Sequence, residues 1–180
     1  NYSFSKFKTN DILFGGNRGA IGTGFIDFYN KDQNLFIATY DGIFAHAKLD
    51  SLENFKKINS NINSLIQYEK FYFHDQYGIK DILIDEKTLY VSYIGKRKKD
   101  CYDLKIISSE LNESYLDFQI FYKTSECVDV NNGHGYFAAQ GAGGRIVKLD
   151  NNNLLFTTGD FRNRPLAQNI KSNFGKILKI

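Results

Sequence analysis

Short runs of alternating apolar and polar residues punctuate the chain, and each run gives way to a cluster of turn-forming residues. Phe25-Ile26-Asp27-Phe28-Tyr29 alternates, and Asn30 to Asn34 forms a polar turn. Leu35-Phe36-Ile37-Ala38-Thr39 follows, then the hairpin signal Asp41-Gly42, then a third run from Ile43 to Leu49. A period of two puts one face of a strand on a core and the other toward solvent, so these runs predict antiparallel strands. The same order returns at Ile79 to Ile84 and Leu89 to Ile94, with Asp85-Glu86-Lys87 as the turn. It returns again at Arg145 to Leu149 and Leu154 to Thr158 around Asp150 to Asn153. Further strands are predicted at Cys101 to Ile107 and Leu116 to Tyr122, with the polar stretch Ser108 to Ser114 between them. Leu52 to Gln67 differs. Its apolar residues Leu52, Phe55, Ile58, Ile62, Leu65 and Ile66 fit a short amphipathic helix or an irregular excursion between strands, with no chemistry of its own.

Superposing the runs reveals a repeat. Gly24, Gly78 and Gly144 each lead an apolar strand, followed by an Asp/Asn/Lys turn and a second strand beginning at Leu35, Leu89 or Leu154. The leucines stand 54 and 65 residues apart, a spacing suited to four-stranded blades with decorated loops. The expected fold is all-β: a β-propeller of four-stranded antiparallel blades. About three blades are present, near residues 22–75, 78–127 and 143–180, within one partial domain spanning 1–180. An antiparallel sandwich is the alternative. Three units fall short of the usual 4–8 blades. The sequence has no Met, and Gly175 to Ile180 reads as a strand in progress. The expectation is therefore a piece of a longer protein.

Composition narrows the possibilities. Sixteen Phe and twelve Tyr supply core area suited to pleated surfaces. The net charge of +3 is spread among interspersed Lys, Asp and Glu, which points to neither nucleic acid nor an anionic membrane as partner. No apolar run approaches the ~18 residues of a membrane span. Lys96-Arg97-Lys98-Lys99 reads as a solvated loop tip, and Gly15 to Gly22 as a loop between blades, since it lacks the Gly-Lys-Ser/Thr of a phosphate-binding loop. Cys101 starts one predicted strand and Cys127 lies just beyond the next, so an antiparallel hairpin would bring them together. A Cys101–Cys127 disulfide is expected, with two unpaired buried thiols as the alternative. A bridge would imply an oxidising compartment, periplasmic or extracellular. No His and Cys spacing indicates zinc.

One segment carries chemistry: Gly141-Ala142-Gly143-Gly144-Arg145-Ile146-Val147-Lys148-Leu149, the turn Asp150 to Asn153, and Leu154-Leu155-Phe156-Thr157-Thr158-Gly159-Asp160. Asn163-Arg164-Pro165-Leu166-Ala167-Gln168-Asn169 and Gly175-Lys176-Ile177-Leu178-Lys179-Ile180 follow. This stretch resembles the glucose/sorbosone dehydrogenase family, the soluble PQQ (pyrroloquinoline quinone)-dependent aldose dehydrogenases. The resemblance implies PQQ and calcium as cofactors, a sugar or polyol as substrate, and hydride transfer from the substrate to the quinone. A histidine takes the hydroxyl proton, and an aspartate fixes its tautomer. Asp160 corresponds to that aspartate. The histidine position, four residues before Arg145, is Gly141, which has no group to accept a proton. His134, in a Gly-flanked loop, is the candidate base, with a solvated loop histidine as the alternative. Arg162 and Arg164 either neutralise an anionic cofactor or pair with local carboxylates. Gln140 and Asn163 are weaker candidates, while His46 and His74 read as structural or surface groups. Two functions follow: a quinoprotein sugar dehydrogenase, or a non-catalytic propeller that binds a glycan or protein.

Overall fold

A computed structural model describes residues 24–29 and 33–180, so the Gly15 to Gly22 loop lies outside the described residues. Three sheets follow one another along the chain. The first is an antiparallel run of β1 (Gly24–Tyr29), β2 (Asn34–Thr39), β3 (Phe44–Lys48) and β4 (Lys56–Ser60). The second runs from β5 (Ile79–Asp85) through β6 (Thr88–Lys98) to β7 (Cys101–Glu110), with β9 (Gln119–Lys123) and β10 (Val128–Asp129) paired along β7. The third contains β11 (Gly143–Asp150), β12 (Asn153–Thr158) and β13 (Lys176–Lys179). The leading strands β1, β5 and β11 lie against one another, as the innermost strands of propeller blades do around an axis.

The second sheet is covered on both faces. Leu89, Val91, Tyr93 and Ile107 pack with Phe36, Phe44, Ile58 and Phe71 toward the first sheet. Ile94, Leu104 and Ile106 pack with Ile146, Phe156, Phe161 and Phe174 toward the third. A central blade must be apolar on both faces, which explains why β6 reads as a nearly continuous buried run from Val91 to Gly95. Two carboxylates join the blades at the axis. Asp27 accepts a hydrogen bond from the Ile84 backbone N–H at 2.7 Å, and Asp81 accepts one from Ile146 N–H at 2.8 Å. Both stand three residues after the glycine that leads their unit. The first two units therefore share an acidic position that satisfies the next blade's inner strand, where the third unit has Val147.

The structure corrects three expectations. Leu52 to Gln67 is neither a short amphipathic helix nor an irregular excursion between strands: residues 56–60 are β4, the first blade's fourth strand, and α1 (Ile62–Leu65) is a single turn. Phe55, Ile58, Ile62 and Ile66 are buried, but from a strand and a turn in succession. Leu116 to Tyr122 is not one strand. β8 (Tyr115–Leu116) pairs parallel with β4, and the chain then crosses to β9. The Asn61 amide fixes the crossing, donating to Asp117 Oδ1 at 2.8 Å and accepting from Phe118 N–H at 2.8 Å. Arg97 is not simply solvated. Its guanidinium donates to Asp103 Oδ2 at 3.1 Å and to the carbonyls of Thr124 and Ser125. Lys96, Lys98 and Lys99 are exposed beside it.

Cys101 and Cys127 form a disulfide with their Cα atoms 5.6 Å apart. The hairpin register expected from sequence is not what aligns them. Cys127 immediately precedes β10, whose Asp129 pairs with Cys101. Closing a loop of this length limits the unfolded chain by about 3 kcal/mol. Replacing both cysteines by serine is expected to lower the unfolding free energy by roughly that amount in a urea titration. Thiol titration of the denatured, unreduced protein is expected to find no free groups, and two titrating thiols would refute the bridge.

Candidate functional site

The segment after β12 is held by backbone contacts that only small residues permit. Gly159 N–H donates to Ala142 O at 2.5 Å, and Phe161 N–H donates to Gly141 O at 3.2 Å. A Cβ on Gly159 would lie 1.9 Å from Gly141 O, so glycine is required for the turn at 139–142 to lie against the end of β12. Phe161 and Arg162 both adopt positive φ, 52° and 69°. Two successive non-glycine residues in this region cost energy that surrounding contacts must offset. Phe161 supplies those contacts. It is fully buried, stacks on Phe137 at 5.0 Å and meets Phe174 edge-on at 5.6 Å.

This turn presents Asp160 at the end of the blade. Its carboxylate is nearly buried and accepts from Arg162 N–H at 2.9 Å. Arg164, on α2 (Arg164–Gln168), approaches the other carboxylate oxygen at 3.5 Å from a largely exposed side chain. A pair so exposed contributes little to stability. The Arg162 guanidinium lies over the Tyr136 ring, 4.4 Å from its centroid. Asn163 is buried with its Oδ1 lacking a hydrogen-bond partner, the kind of acceptor a bound group can satisfy. An open groove of about 470 Å³ runs over Gln140, Gly141, Asp160, Arg162 and Arg164.

Gly141 faces this turn. A Cβ there would meet Arg162 N and Phe161 Cα at 3.7 Å, ordinary contact distances, and its φ of −84° suits any residue. A side chain would therefore be accommodated beside Asp160, although none is present. His134 is exposed in the preceding loop, its backbone N–H on Asn132 Oδ1 at 2.9 Å. Among the described residues, no hydrogen bond or ion pair joins its imidazole to Asp160. The same loop does reach the site two residues later, where Tyr136 covers Arg162 and Ala138 N–H donates to Phe161 O at 3.0 Å. His46 is a packing group: its ring is 3.1 Å from Tyr29 Oη and 3.6 Å from Glu113, and burial pushes its pKa down. His74 is half exposed, 3.6 Å from Asp75.

Gln140 also lines a second cavity, of about 590 Å³, at the axis between the leading strands. Lys80, Asp81, Arg145, Gln76 and Asp75 contribute to it. Asp81 is buried, and burial raises its pKa, opposed by Ile146 N–H and by Arg145 Nη1 at 2.9 Å. Sequence reading missed Lys80, Asp81, Tyr136 and Phe137. Only Asp81 left a signal, as the position shared with Asp27 in the repeat.

Sheets that follow one another around an axis, with their leading strands in contact, define a partial β-propeller. Solved structures share this fold. A glucose dehydrogenase superposes with a TM-score of 0.65 at 15% identity over 87% of this chain and 47% of its own. The soluble aldose sugar dehydrogenase of Escherichia coli, in its apo-form, superposes with a TM-score of 0.64 at 16% identity, over 86% of this chain and 42% of its own. The chain thus spans a little under half the length of these proteins. No curated protein matches the sequence. The sequence model of Glucose / Sorbosone dehydrogenase matches residues 27–180, and the chain belongs to that family.

Proposed function

We propose that this chain forms part of a PQQ-dependent dehydrogenase that oxidises a hydroxyl of an aldose or polyol, with the substrate bound over Asp160 and Gln140. The supporting observation is Asp160 itself, nearly buried at a strained turn and facing the Gly141 position where the family carries its base. PQQ is a tricarboxylate, and the residues present suit it. Arg162 and Arg145 supply positive charge around Gln140. When bound, the quinone would supply the hydride acceptor. Arg162, set on Tyr136, would hold a carboxylate, and Asp160 would orient an imidazole donor. His134, exposed two residues before the Tyr136 that covers Arg162, is the residue of this chain that would take the substrate's hydroxyl proton. Calcium is implied by the family. No three His, Cys, Asp or Glu side chains converge among the described residues, and no step here is assigned to a metal. The disulfide supports a periplasmic or extracellular location.

The protein reconstituted with PQQ and calcium is expected to reduce a dye when aldoses are added, and His134→Ala is expected to lower that rate by about 10²-fold. No turnover and no change in quinone absorbance on adding sugar would overturn the dehydrogenase reading. Gly141 specifically favours a second reading, a propeller that binds a glycan or protein without oxidising it. Calorimetric binding of an aldose without turnover is the result expected of that module.

A further inference from the structure

We propose that Lys80 is a carbonyl-capturing amine, whose Nζ forms a reversible imine with a small hydroxyaldehyde, an open-chain aldose included, in the axial cavity. Lys80 lies on the leading strand β5, at the meeting of three blades. Its stem crosses the third blade at Gly144, where a Cβ would approach the Lys80 Cβ to 2.4 Å. Gly144 also has φ +113°, so the site demands glycine twice over. This close passage carries the stem over β11 and leaves the amine half-buried at the cavity wall. Nζ donates to the Gln76 carbonyl at 2.5 Å.

The charged groups facing the amine are Asp75 from the 75–77 turn, Asp81 on its own strand and Arg145 from β11. Asp81 is already engaged by Arg145 and Ile146 N–H. Desolvation outweighs the attraction of Asp75 and brings the Lys80 pKa down to about 8. Roughly one amine in five is then neutral at pH 7.4, against about one in a thousand for an ordinary lysine. Only the neutral amine is a nucleophile. Its lone pair attacks the aldehyde carbon, and the carbonyl oxygen takes up a proton as nitrogen loses one. The carbinolamine then expels water to leave C=N, with no oxidant or reductant consumed. The Gln76 and Gln140 amides and the Arg145 guanidinium line the same cavity, a donor and acceptor set suited to hydroxyls. At about 590 Å³ the cavity has room for a small sugar.

The test is reductive trapping. The purified protein, without quinone, is incubated with glycolaldehyde and cyanoborohydride across pH 6–10, and adducts are mapped by peptide mass spectrometry. Lys80 is expected to be alkylated at least about tenfold faster at pH 7.4 than exposed Lys98 and Lys99, with a half-maximal rate near pH 8. Lys80→Arg should remove that adduct and leave the others. Labelling at Lys80 no faster than at Lys98 and Lys99, or with a midpoint near that of an ordinary lysine, overturns the proposal. The decisive comparison is made within the unmutated protein, so it survives a variant that fails to fold. It needs no PQQ, so a silent dye assay would count against the dehydrogenase reading alone.

Discussion

Gly141→His, introduced into His134→Ala, is expected to raise sugar-dependent dye reduction by the reconstituted protein about 10²-fold over that parent, the lower end of what a positioned general base supplies. The geometry permits the change. At φ −84° the backbone of residue 141 accepts an L side chain, and the nearest atoms to its Cβ are 3.7 Å away. The Phe161 N–H bond to Gly141 O fixes the position against the Asp160 turn. An imidazole introduced there starts next to a nearly buried carboxylate already fixed by Arg162 N–H, the partner that would set its tautomer. The gain should therefore require that carboxylate. Asp160→Asn in the same background is expected to cancel most of it, while circular dichroism confirms an unchanged fold. A Gly141→His protein no faster than the parent, with PQQ bound, would remove Asp160 from its assigned role.

Arg97→Ala is expected to destabilise the fold by about 2–3 kcal/mol. Asp103 is completely buried, and burial pushes its pKa up while Lys105 and Arg97 oppose the rise. Without Arg97, the carboxylate keeps only Lys105 Nζ at 3.9 Å, and the Thr124 and Ser125 carbonyls lose their donor. Removing one partner of a buried pair costs 3–5 kcal/mol. The figure here is set lower because the Arg97 side chain is 33% exposed and water partly replaces it. Urea unfolding at pH 7 measures the loss. The pH dependence identifies its origin. A carboxyl whose folded pKa is raised gives stability that is fully present below its unfolded value of 3.8 and is lost as pH rises through the folded value. The Arg97→Ala deficit should accordingly shrink as the pH falls toward 4. The double variant Arg97→Met with Asp103→Leu should recover most of the stability, because no charge is then left buried and unpaired. A deficit unchanged by either manipulation would mean that packing of the arginine stem is what was lost.

The alternation of apolar residues, the leading glycines and the Asp/Asn turns determined that this chain builds successive antiparallel sheets. Those signals are local, since a strand two residues in period and a turn needing a particular φ are written in adjacent positions. The resemblance carried by the Gly-Gly-Arg to Thr-Gly-Asp segment singled out Asp160 and Gly141 as candidates, and the structure places both along one groove. The Cys101–Cys127 bridge was legible as a pairing, although its register was not. Where the chain crosses between sheets was decided by tertiary structure. Asn61, by pairing with Asp117 and Phe118, splits a run that reads as one strand into β8 and β9. Arg97 looked like part of a solvated basic tip because the buried charge it answers, Asp103, belongs to the neighbouring strand. Lys80 looked like an ordinary strand residue, because its depressed pKa comes from desolvation among three blades rather than from its neighbours in sequence. Burial is a property of the packed blades, and even the six-residue spacing of Arg97 and Asp103 does not show which of the two is enclosed.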